Sequence, residues 1–351
     1  MADLNLCSAS IVGSFPHTSS KQLCESILAN LQEIPAWPQL PNRNPMENMY
    51  IQFSEKLPAL VINKEKQRIH FDTSGDIYPA LEKFYTHFLE SDIEYFRISP
   101  EYAEGLYTFT ELACKSELNG LKYVKGHITG PISFGLTITD ENKRAILYHD
   151  ELFDAVMKNC IMKVRWQIKM LKQIHSSIII MIDEPYLSAF GSGYISLSRE
   201  QVVRHIGTII DTIQDEGCIA GVHCCGNTDW SILIDTGTRI LNFDADCYFQ
   251  GITLYPAQLK KFVQNNGILA WGIIPTTERI AFVDQDEIIG DFEEKLTQLE
   301  RKGLSKRELL QHSIVTPSCG LGTRTEEDSE KAMILAAKVA GILKENYSIH
   351  G

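Results

Sequence analysis

Hydrophobic and polar positions follow two different periods along the central and C-terminal parts of the chain. From Leu152 to Leu171 the apolar residues recur every three or four positions, which predicts an amphipathic helix. A continuous apolar run then extends from Ile178 to Ile182 and stops at Asp183. Such a run is typical of a strand that is buried on both faces, as in a parallel sheet. The pattern therefore predicts a helix followed by a buried strand.

The same alternation continues to the end of the chain. Further helices are predicted at 199–216, just after Asp229, at 256–265, at 285–312 with a break near Gly303, and at 325–347. Seven strands are predicted in all, at residues 8–12, 123–128, 178–182, 218–222, 240–243, 268–271 and 314–315.

Repeated strand–helix units over 351 residues favour an α/β protein built as one (β/α)8 TIM barrel, with a doubly wound parallel sheet as the alternative. The eighth strand is expected between Leu31 and Ser99. Four prolines between residues 35 and 45 indicate an irregular insertion near residues 33–75, with a strand or hairpin around 67–71. No linker divides the sequence, so residues 1–351 are expected to form a single catalytic domain.

Charge and cysteine content narrow the class of function. The formal net charge is −12 and no Lys/Arg block occurs, which argues against nucleic acid and anionic membranes as partners. No apolar run reaches the roughly 18 residues that span a bilayer, and residues 1–6 lack a signal-peptide pattern, so a cytoplasmic location is expected. Nine cysteines, an odd number, favour reduced thiols and metal binding over disulfides.

Metal-binding residues follow several of the predicted strands. His223 and Cys225 are two positions apart, so they point the same way on an extended strand end. Cys319 ends another strand, and Asp244 ends the strand after His223. Barrel enzymes place their active sites at these strand ends. Since zinc takes imidazole, thiolate and carboxylate ligands, the four residues predict a zinc site.

The identity of the fourth zinc ligand is open, because Cys247 and Asp246 are alternatives to Asp244. A His-x-Cys pair could also be a packed pair in the core. Cys224 should point away from the site. Two thiolate ligands donate negative charge to zinc and make it a weak activator of water. The same charge makes a bound substrate thiolate electron-rich. This chemistry favours alkylation of a thiol over hydrolysis.

Four motifs resemble the C-terminal catalytic barrel of cobalamin-independent methionine synthases, and the resemblance covers nearly the whole chain. They are Val-Gly-Ser-Phe-Pro at 12–16, Ile-Asp-Glu-Pro at 182–185, His-x-Cys at 223–225 and Ser-Cys-Gly-Leu-Gly-Thr-Arg at 318–324. The segment at 223–227 also resembles the wider superfamily of uroporphyrinogen decarboxylase and the zinc methyltransferases that act on coenzyme M.

The resemblance implies zinc on His223, Cys225 and Cys319, with Asp244 standing where the family has a glutamate. The substrate implied is homocysteine, which becomes methionine.

For the amino-acid end of homocysteine the resemblance implies binding by Val12, Gly13 and Ser14. It also implies that Asp183 pairs with the substrate ammonium and serves as the catalytic carboxylate. On spacing alone, a structural role for Asp183 and Glu184, pairing with a loop donor, is an equal alternative.

Two departures from the family concern the methyl donor. The chain has no room for the family's second, N-terminal barrel, and the family's proton-donor histidine would fall near Ile273. Methyl transfer from methyltetrahydrofolate is helped by a general acid that protonates the leaving nitrogen, whereas transfer from methylcobalamin needs no proton. The sequence therefore predicts a short methionine synthase supplied by methylcobalamin or a methylated corrinoid protein. His17 and His127 are either substitute acids or satisfied loop histidines.

Other functions stay open. A zinc methyltransferase for another thiol such as coenzyme M, or a folate-dependent methionine synthase, would use the same metal ligands. A decarboxylase of the uroporphyrinogen type should have an arginine-rich pocket, and few arginines follow the predicted strands. A zinc-storage module or a non-catalytic partner of a corrinoid protein is the alternative outside enzymes.

Overall fold

The computed structural model describes residues 7–64, 68–192 and 195–349. Within these ranges seven strands form one parallel sheet, in the spatial order β1-β9-β8-β7-β6-β5-β4, and β2 and β3 form a separate antiparallel hairpin. The strands are β1 (Ser8–Ala9), β2 (Leu60–Asn63), β3 (Arg68–Phe71), β4 (Val124–Thr129), β5 (Ile178–Asp183), β6 (Ile219–Cys224), β7 (Ile240–Asp244), β8 (Ile268–Ile274) and β9 (Ser313–Pro317).

Helices separate the strands of the parallel sheet. The predicted break near Gly303 is confirmed: one helix ends at Arg301, the next begins at Lys306, and Gly303 between them has φ +87°. The helices are α1 (Ser20–Asn30), α2 (Met49–Gln52), α3 (Tyr78–Leu89), α4 (Glu104–Lys115), α5 (Pro131–Thr137), α6 (Asp150–Leu171), α7 (Arg199–Asp215), α8 (Trp230–Asp235), α9 (Phe249–Ile252), α10 (Pro256–Gln264), α11 (Gln285–Arg301), α12 (Lys306–Gln311) and α13 (Glu326–Asn346).

The strand order distinguishes between the two architectures expected from the sequence. From β4 to β9 each strand pairs in parallel with the next one along the chain, and β9 then pairs with β1. A doubly wound sheet would reverse this order at a switch point. The alternative of a doubly wound sheet is therefore wrong, and the chain winds in one direction, as in a barrel.

The expected eighth strand is present only as an extended segment, residues 33–39, which contacts both edges of the curled sheet. Toward β1, the N–H of Phe15 donates to the carbonyl of Gln39 over 2.9 Å; toward β4, the N–H of Lys125 donates to the carbonyl of Pro35 over 2.9 Å. These are isolated bridges and not a continuous ladder. Pro35 and Pro38 have no N–H to donate, so this segment cannot sustain a ladder.

Residues alternate between the inside of the curled sheet and its helix-covered outside. Along β5, Ile179 and Met181 belong to the small inner apolar cluster, whereas Ile180 and Ile182 belong to the large outer core. The two-residue period of a strand therefore places Asp183, the last residue of β5, on the inner face. No helix in the described part of the chain is long and apolar enough to cross a membrane.

Candidate metal centre and substrate pocket

Three of the predicted zinc ligands come together at the carboxyl ends of the strands. The ligand atoms of His223, Cys225 and Cys319 all lie within 4.8 Å of one another. His223 lies in β6, Cys225 is the first residue after the end of β6, and Cys319 follows β9. Three strand spacings separate β6 from β9, about 14 Å in a flat sheet. The curl of the sheet is therefore what brings these side chains together.

Hydrogen bonding among these three residues shifts their protonation. The hydrogen bond between the two thiols lowers the pKa of Cys225 and raises that of Cys319. Burial acts against a charged His223, but the hydrogen bond that the imidazole donates to Cys319 and the charge of Asp183 outweigh it and raise the His223 pKa. Within the cluster the Cys225 pKa is therefore lowered, while the pKa values of Cys319 and His223 are raised.

This donor set fits a zinc ion. Two sulfurs and one imidazole nitrogen are a common zinc set, and a catalytic zinc site keeps one position for substrate beside three protein ligands. His223 is buried, and its Nδ1 atom has no hydrogen-bond partner within the described ranges. Cys225 and Cys319 are partly exposed, so the cluster can be reached from solvent. These three residues could hold a metal ion.

Asp244 lies outside this group of three. Its Oδ1 atom accepts a hydrogen bond from the backbone N–H of Cys247 over 2.7 Å, and burial raises its pKa. Of the two competing residues, Asp246 accepts a hydrogen bond from Arg279, and the side chain of Cys247 is exposed. Asp244, Asp246 and Cys247 all lie outside the group of three possible ligands. The assignment of Asp244 as the fourth zinc ligand stays a prediction. Cys224 is fully buried in the outer core, as expected.

Asp183 lies beside the cluster with unused hydrogen-bonding capacity. It pairs with His223 in the register of β5 and β6. Its Oδ1 atom is inaccessible to solvent and has no partner among the residues described. Burial raises the pKa of Asp183 to about 6, although the charges of His223 and Lys125 act in the opposite direction. A buried acceptor without a partner is uncommon in proteins, and this oxygen is free to accept a hydrogen bond.

Glu184, the next residue, has a different role. Its two carboxylate oxygens accept hydrogen bonds from the backbone N–H groups of Ile132 and Ser133, over 3.0 and 2.7 Å. These N–H groups belong to the first turn of α5 and would otherwise have no acceptor. The structural role that the sequence left open for the Asp-Glu pair thus applies to Glu184.

The segment Val12–Gly13–Ser14 lies against the loop that carries Cys319. The carbonyl of Ser14 accepts a hydrogen bond from the N–H of Leu321 over 2.8 Å, which ties the segment to the loop that carries Cys319. A Cβ atom on Gly13 would lie only 2.9 Å from Cε1 of His127. The segment thus lies close to the cluster, and glycine is required at position 13 because His127 packs against it.

The two histidines that could replace the family's proton donor differ in their surroundings. His127 is 1% exposed and stacks on Trp37 at 4.0 Å between ring centroids. Burial and the charge of Lys125 lower the pKa of His127 well below its usual range, so it is neutral at pH 7. Neither of its ring nitrogens has a partner in the described part of the chain, unlike a satisfied loop histidine. Nε2 of His17 lies 3.4 Å from Oε1 of Glu330.

Sequence reasoning missed Lys125, which is buried on the inner face of β4. Its Nζ atom donates to the carbonyl of Val12 over 2.7 Å. The available signal was its position two residues before His127, which puts both side chains on the same face of the strand.

Two solved structures share this fold over nearly the full length of the chain. The B12-independent methionine synthase from Shewanella sp. W3-18-1, in complex with selenomethionine, is 12% identical, with a TM-score of 0.60 over 97% of this chain and 98% of that one. A putative vitamin-B12 independent methionine synthase from Listeria monocytogenes is 14% identical, with a TM-score of 0.54 over 93% and 86%. No family model and no curated protein sequence matches the chain. The chain is thus similar in fold to methionine synthases.

Proposed function

We propose that this protein is a zinc-dependent methyltransferase that transfers a methyl group to the thiol of homocysteine and so forms methionine. The observation that carries the proposal is the convergence of His223, Cys225 and Cys319 beside Asp183, whose carboxylate has an unpartnered oxygen. The fold similarity supports it, since the Shewanella enzyme was solved with selenomethionine, the selenium analogue of the proposed product.

The three cluster residues would hold the metal and set its chemistry. A zinc ion bound there would hold the substrate thiol as a thiolate that is nucleophilic at neutral pH. The thiolates of Cys225 and Cys319 supply negative charge, which favours an electron-rich sulfur over activation of water. With three protein ligands, one position is left for the substrate sulfur.

The remaining pocket residues orient the amino-acid end of the substrate. Asp183 would accept a hydrogen bond from the substrate ammonium at its unpartnered Oδ1 atom. Gly13 and Ser14 would contact the other end of the amino-acid group, because their segment is tied to the loop of Cys319. Fixing the substrate at both ends aims its sulfur at the methyl donor and lowers the entropic cost of the reaction.

We further propose methylcobalamin or a methylated corrinoid protein as the methyl donor. The substrate sulfur forms the new S–CH3 bond while the cobalt–carbon bond breaks, and its electron pair stays on cobalt. No proton is needed by the leaving group. This fits Ile273, a buried apolar residue where the family has its proton donor, and His127, which is neutral at pH 7.

In this proposal residues 1–351 act as a single catalytic unit. The segment 33–39 would serve as the eighth member of a (β/α)8 barrel, because it bridges Ser14, which follows β1, and Lys125 in β4. The Val12–Ser14 segment and Lys125 would then lie on either side of this seam.

A methyl-transfer assay tests the function. Zinc-loaded protein is given homocysteine with either methylcobalamin or methyltetrahydrofolate, and methionine is measured. We expect methionine from methylcobalamin and little from methyltetrahydrofolate. Formation of methionine from methyltetrahydrofolate alone would refute the proposed donor, and no methionine from either donor would refute the function.

Thiol selectivity tests the substrate. Homocysteine is compared with coenzyme M and with 4-mercaptobutyrate, which is homocysteine without its amino group. We expect kcat/KM to be highest for homocysteine, and Asp183→Asn to remove most of that preference. A variant of the exposed Cys247, Cys247→Ser, serves as the control that leaves the preference intact. A higher kcat/KM for coenzyme M would identify a different thiol methyltransferase.

A further inference from the structure

An asparagine is buried next to the cluster, on the inner face of the curled sheet. Asn242 in β7 pairs with His223 in the register of β6 and β7, and it is only 3% exposed. Across β8 and β9 the residues in the same row are Ala270 and Ile314, which belong to the small inner apolar cluster. A buried amide is unfavourable unless its polar atoms are hydrogen-bonded, so a polar residue at this position needs an explanation.

The amino group of the Asn242 side chain reaches across two strands. Its Nδ2 atom donates to the carbonyl of Ala270 in β8 and to Oγ1 of Thr316 in β9, each over 2.9 Å. Because a backbone carbonyl can only accept, these bonds fix which end of the amide carries the hydrogens. Asn242 is thereby bound to the strand that leads to Cys319 three residues later.

The amide oxygen of Asn242 is left for His223. It accepts a hydrogen bond from the imidazole of His223. An amide oxygen has no hydrogen to donate, so the ring nitrogen in this bond must carry the proton. The other ring nitrogen is then the one that can offer its lone pair to a metal ion, since the hydrogen bond of one nitrogen sets the role of the other.

We propose that Asn242 is a positioning residue of the zinc site: it fixes which nitrogen of His223 is free for the metal, and it holds β9, and with it Cys319, in place relative to the imidazole. This inference rests on the proposed function, because it concerns a zinc ion on the three cluster residues. Asn242 is not a metal ligand here, and it acts through His223 and Thr316.

Zinc affinity, measured by competition with a chelator, tests this role without any methyl transfer. Asn242→Leu keeps the approximate size of the side chain and removes its polar atoms. We expect this variant to bind zinc about 10- to 100-fold more weakly than wild type, the usual loss when a residue that orients a metal-binding histidine is removed. Unchanged zinc affinity would overturn the inference.

Asn159 offers a matched control for the loss of a buried amide. It is 1% exposed and lies in α6, outside the sheet, where its Nδ2 atom donates to the carbonyl of Phe53 over 2.7 Å. Urea unfolding of metal-free protein should show reduced stability in both Asn159→Leu and Asn242→Leu, whereas only Asn242→Leu should lose zinc affinity. Equal losses of zinc affinity would overturn the inference. If the Leu variants do not fold, Asn242→Ala and Asn159→Ala replace them in the same comparison.

Asn242→Asp separates the orientation of the histidine from stability. The carboxylate keeps an acceptor for the imidazole but has no hydrogen for the carbonyl of Ala270. We expect this variant to be less stable than wild type in urea and yet to bind zinc at least as tightly, to within about threefold. A loss of zinc affinity as large as that of Asn242→Leu would contradict the proposed bond to His223.

These measurements distinguish a failure of this inference from a failure of the proposed function. If wild-type protein binds zinc but methylates no thiol, the proposed reaction is refuted, and the affinities of the Asn242 and Asn159 variants still decide the role of Asn242. If wild-type protein binds no zinc, the proposed function and the role of Asn242 are both refuted.

Discussion

Asp183 and His223 lie directly opposite each other in the register of two parallel strands, β5 and β6. The Cα atoms of residues paired in this way are about 5 Å apart across the two strands, so an unpartnered carboxylate oxygen lies next to a candidate zinc ligand. A small molecule that uses both must carry a cationic group and a metal-binding atom close together. Homocysteine does so, with three carbon atoms between its sulfur and its nitrogen.

Loss of either cysteine of the cluster should release the metal. Wild-type protein is expected to bind about one zinc ion per chain. Cys225→Ser and Cys319→Ser should each weaken zinc binding by on the order of 100-fold or more, since even outer-sphere changes cost 10- to 100-fold. Elemental analysis and a competition titration with a chelator measure this. Cys247→Ser is the control, and unchanged affinity in both cluster variants would contradict the proposed site.

Asp244→Asn separates two interpretations of Asp244. Its Oδ1 atom already accepts the N–H of Cys247, so the structure indicates a role in holding that turn. We expect the Asn variant to keep its zinc, with a thermal unfolding midpoint lowered by a few degrees, because the amide oxygen is a weaker acceptor than a carboxylate. Loss of zinc in this variant would instead support the sequence-based prediction that Asp244 is the fourth ligand.

Gly13→Ala should damage the substrate pocket. The new methyl group would lie 2.9 Å from Cε1 of His127, so the segment or the imidazole must move. We expect a higher KM for homocysteine and a loss of about 1–3 kcal/mol in the free energy of unfolding. Gly341→Ala, where the added methyl group meets no atom within 4 Å, is the matched control and should not lower stability. Equal behaviour of the two variants would show that Gly13 is not constrained by His127.

Glu184 should make stability depend on pH. Burial raises its pKa to about 7, although its hydrogen bonds at the start of α5 act in the opposite direction. A carboxyl with a raised pKa in the folded state stabilises the fold fully below about pH 4, its unfolded pKa, and this contribution disappears as pH rises through 7. The difference in unfolding free energy, wild type minus Glu184→Gln, should therefore fall by up to about 3 kcal/mol between pH 4.5 and 7.5.

Urea unfolding in the presence of a chelator measures this difference without a contribution from metal binding. Glu47, whose pKa burial also raises to about 7, is present in both proteins, so its contribution cancels. A difference that stays constant over this pH range would contradict the assignment to Glu184.

The parts of the site that depend on local spacing could be predicted from the sequence. His223 and Cys225 share a strand face through the two-residue period, and Cys319 follows another strand of the same parallel sheet. Parallel strands end at the same edge, so their terminal residues meet once the sheet curls. The position of Asp183 at the carboxyl end of β5 can be predicted for the same reason.

Features that depend on contacts distant in sequence could not be predicted in the same way. The segment 33–39 has neither strand nor helix periodicity, because its prolines interrupt hydrogen bonding, and its place between β1 and β4 depends on those two strands. The role of Glu184 depends on α5, about fifty residues earlier. Lys125 looks like a surface residue in the sequence apart from its spacing to His127, and the register of β4 and its bond to Val12 show that it is buried.

X-ray absorption at the zinc edge is the most direct test of the central claim, that this cluster binds a metal which binds the substrate sulfur. Zinc-loaded protein is measured before and after addition of homocysteine. The account predicts two sulfur ligands and an imidazole at first, and a third sulfur at about 2.3 Å once homocysteine is bound. A zinc shell that keeps two sulfur ligands with saturating homocysteine present would contradict it.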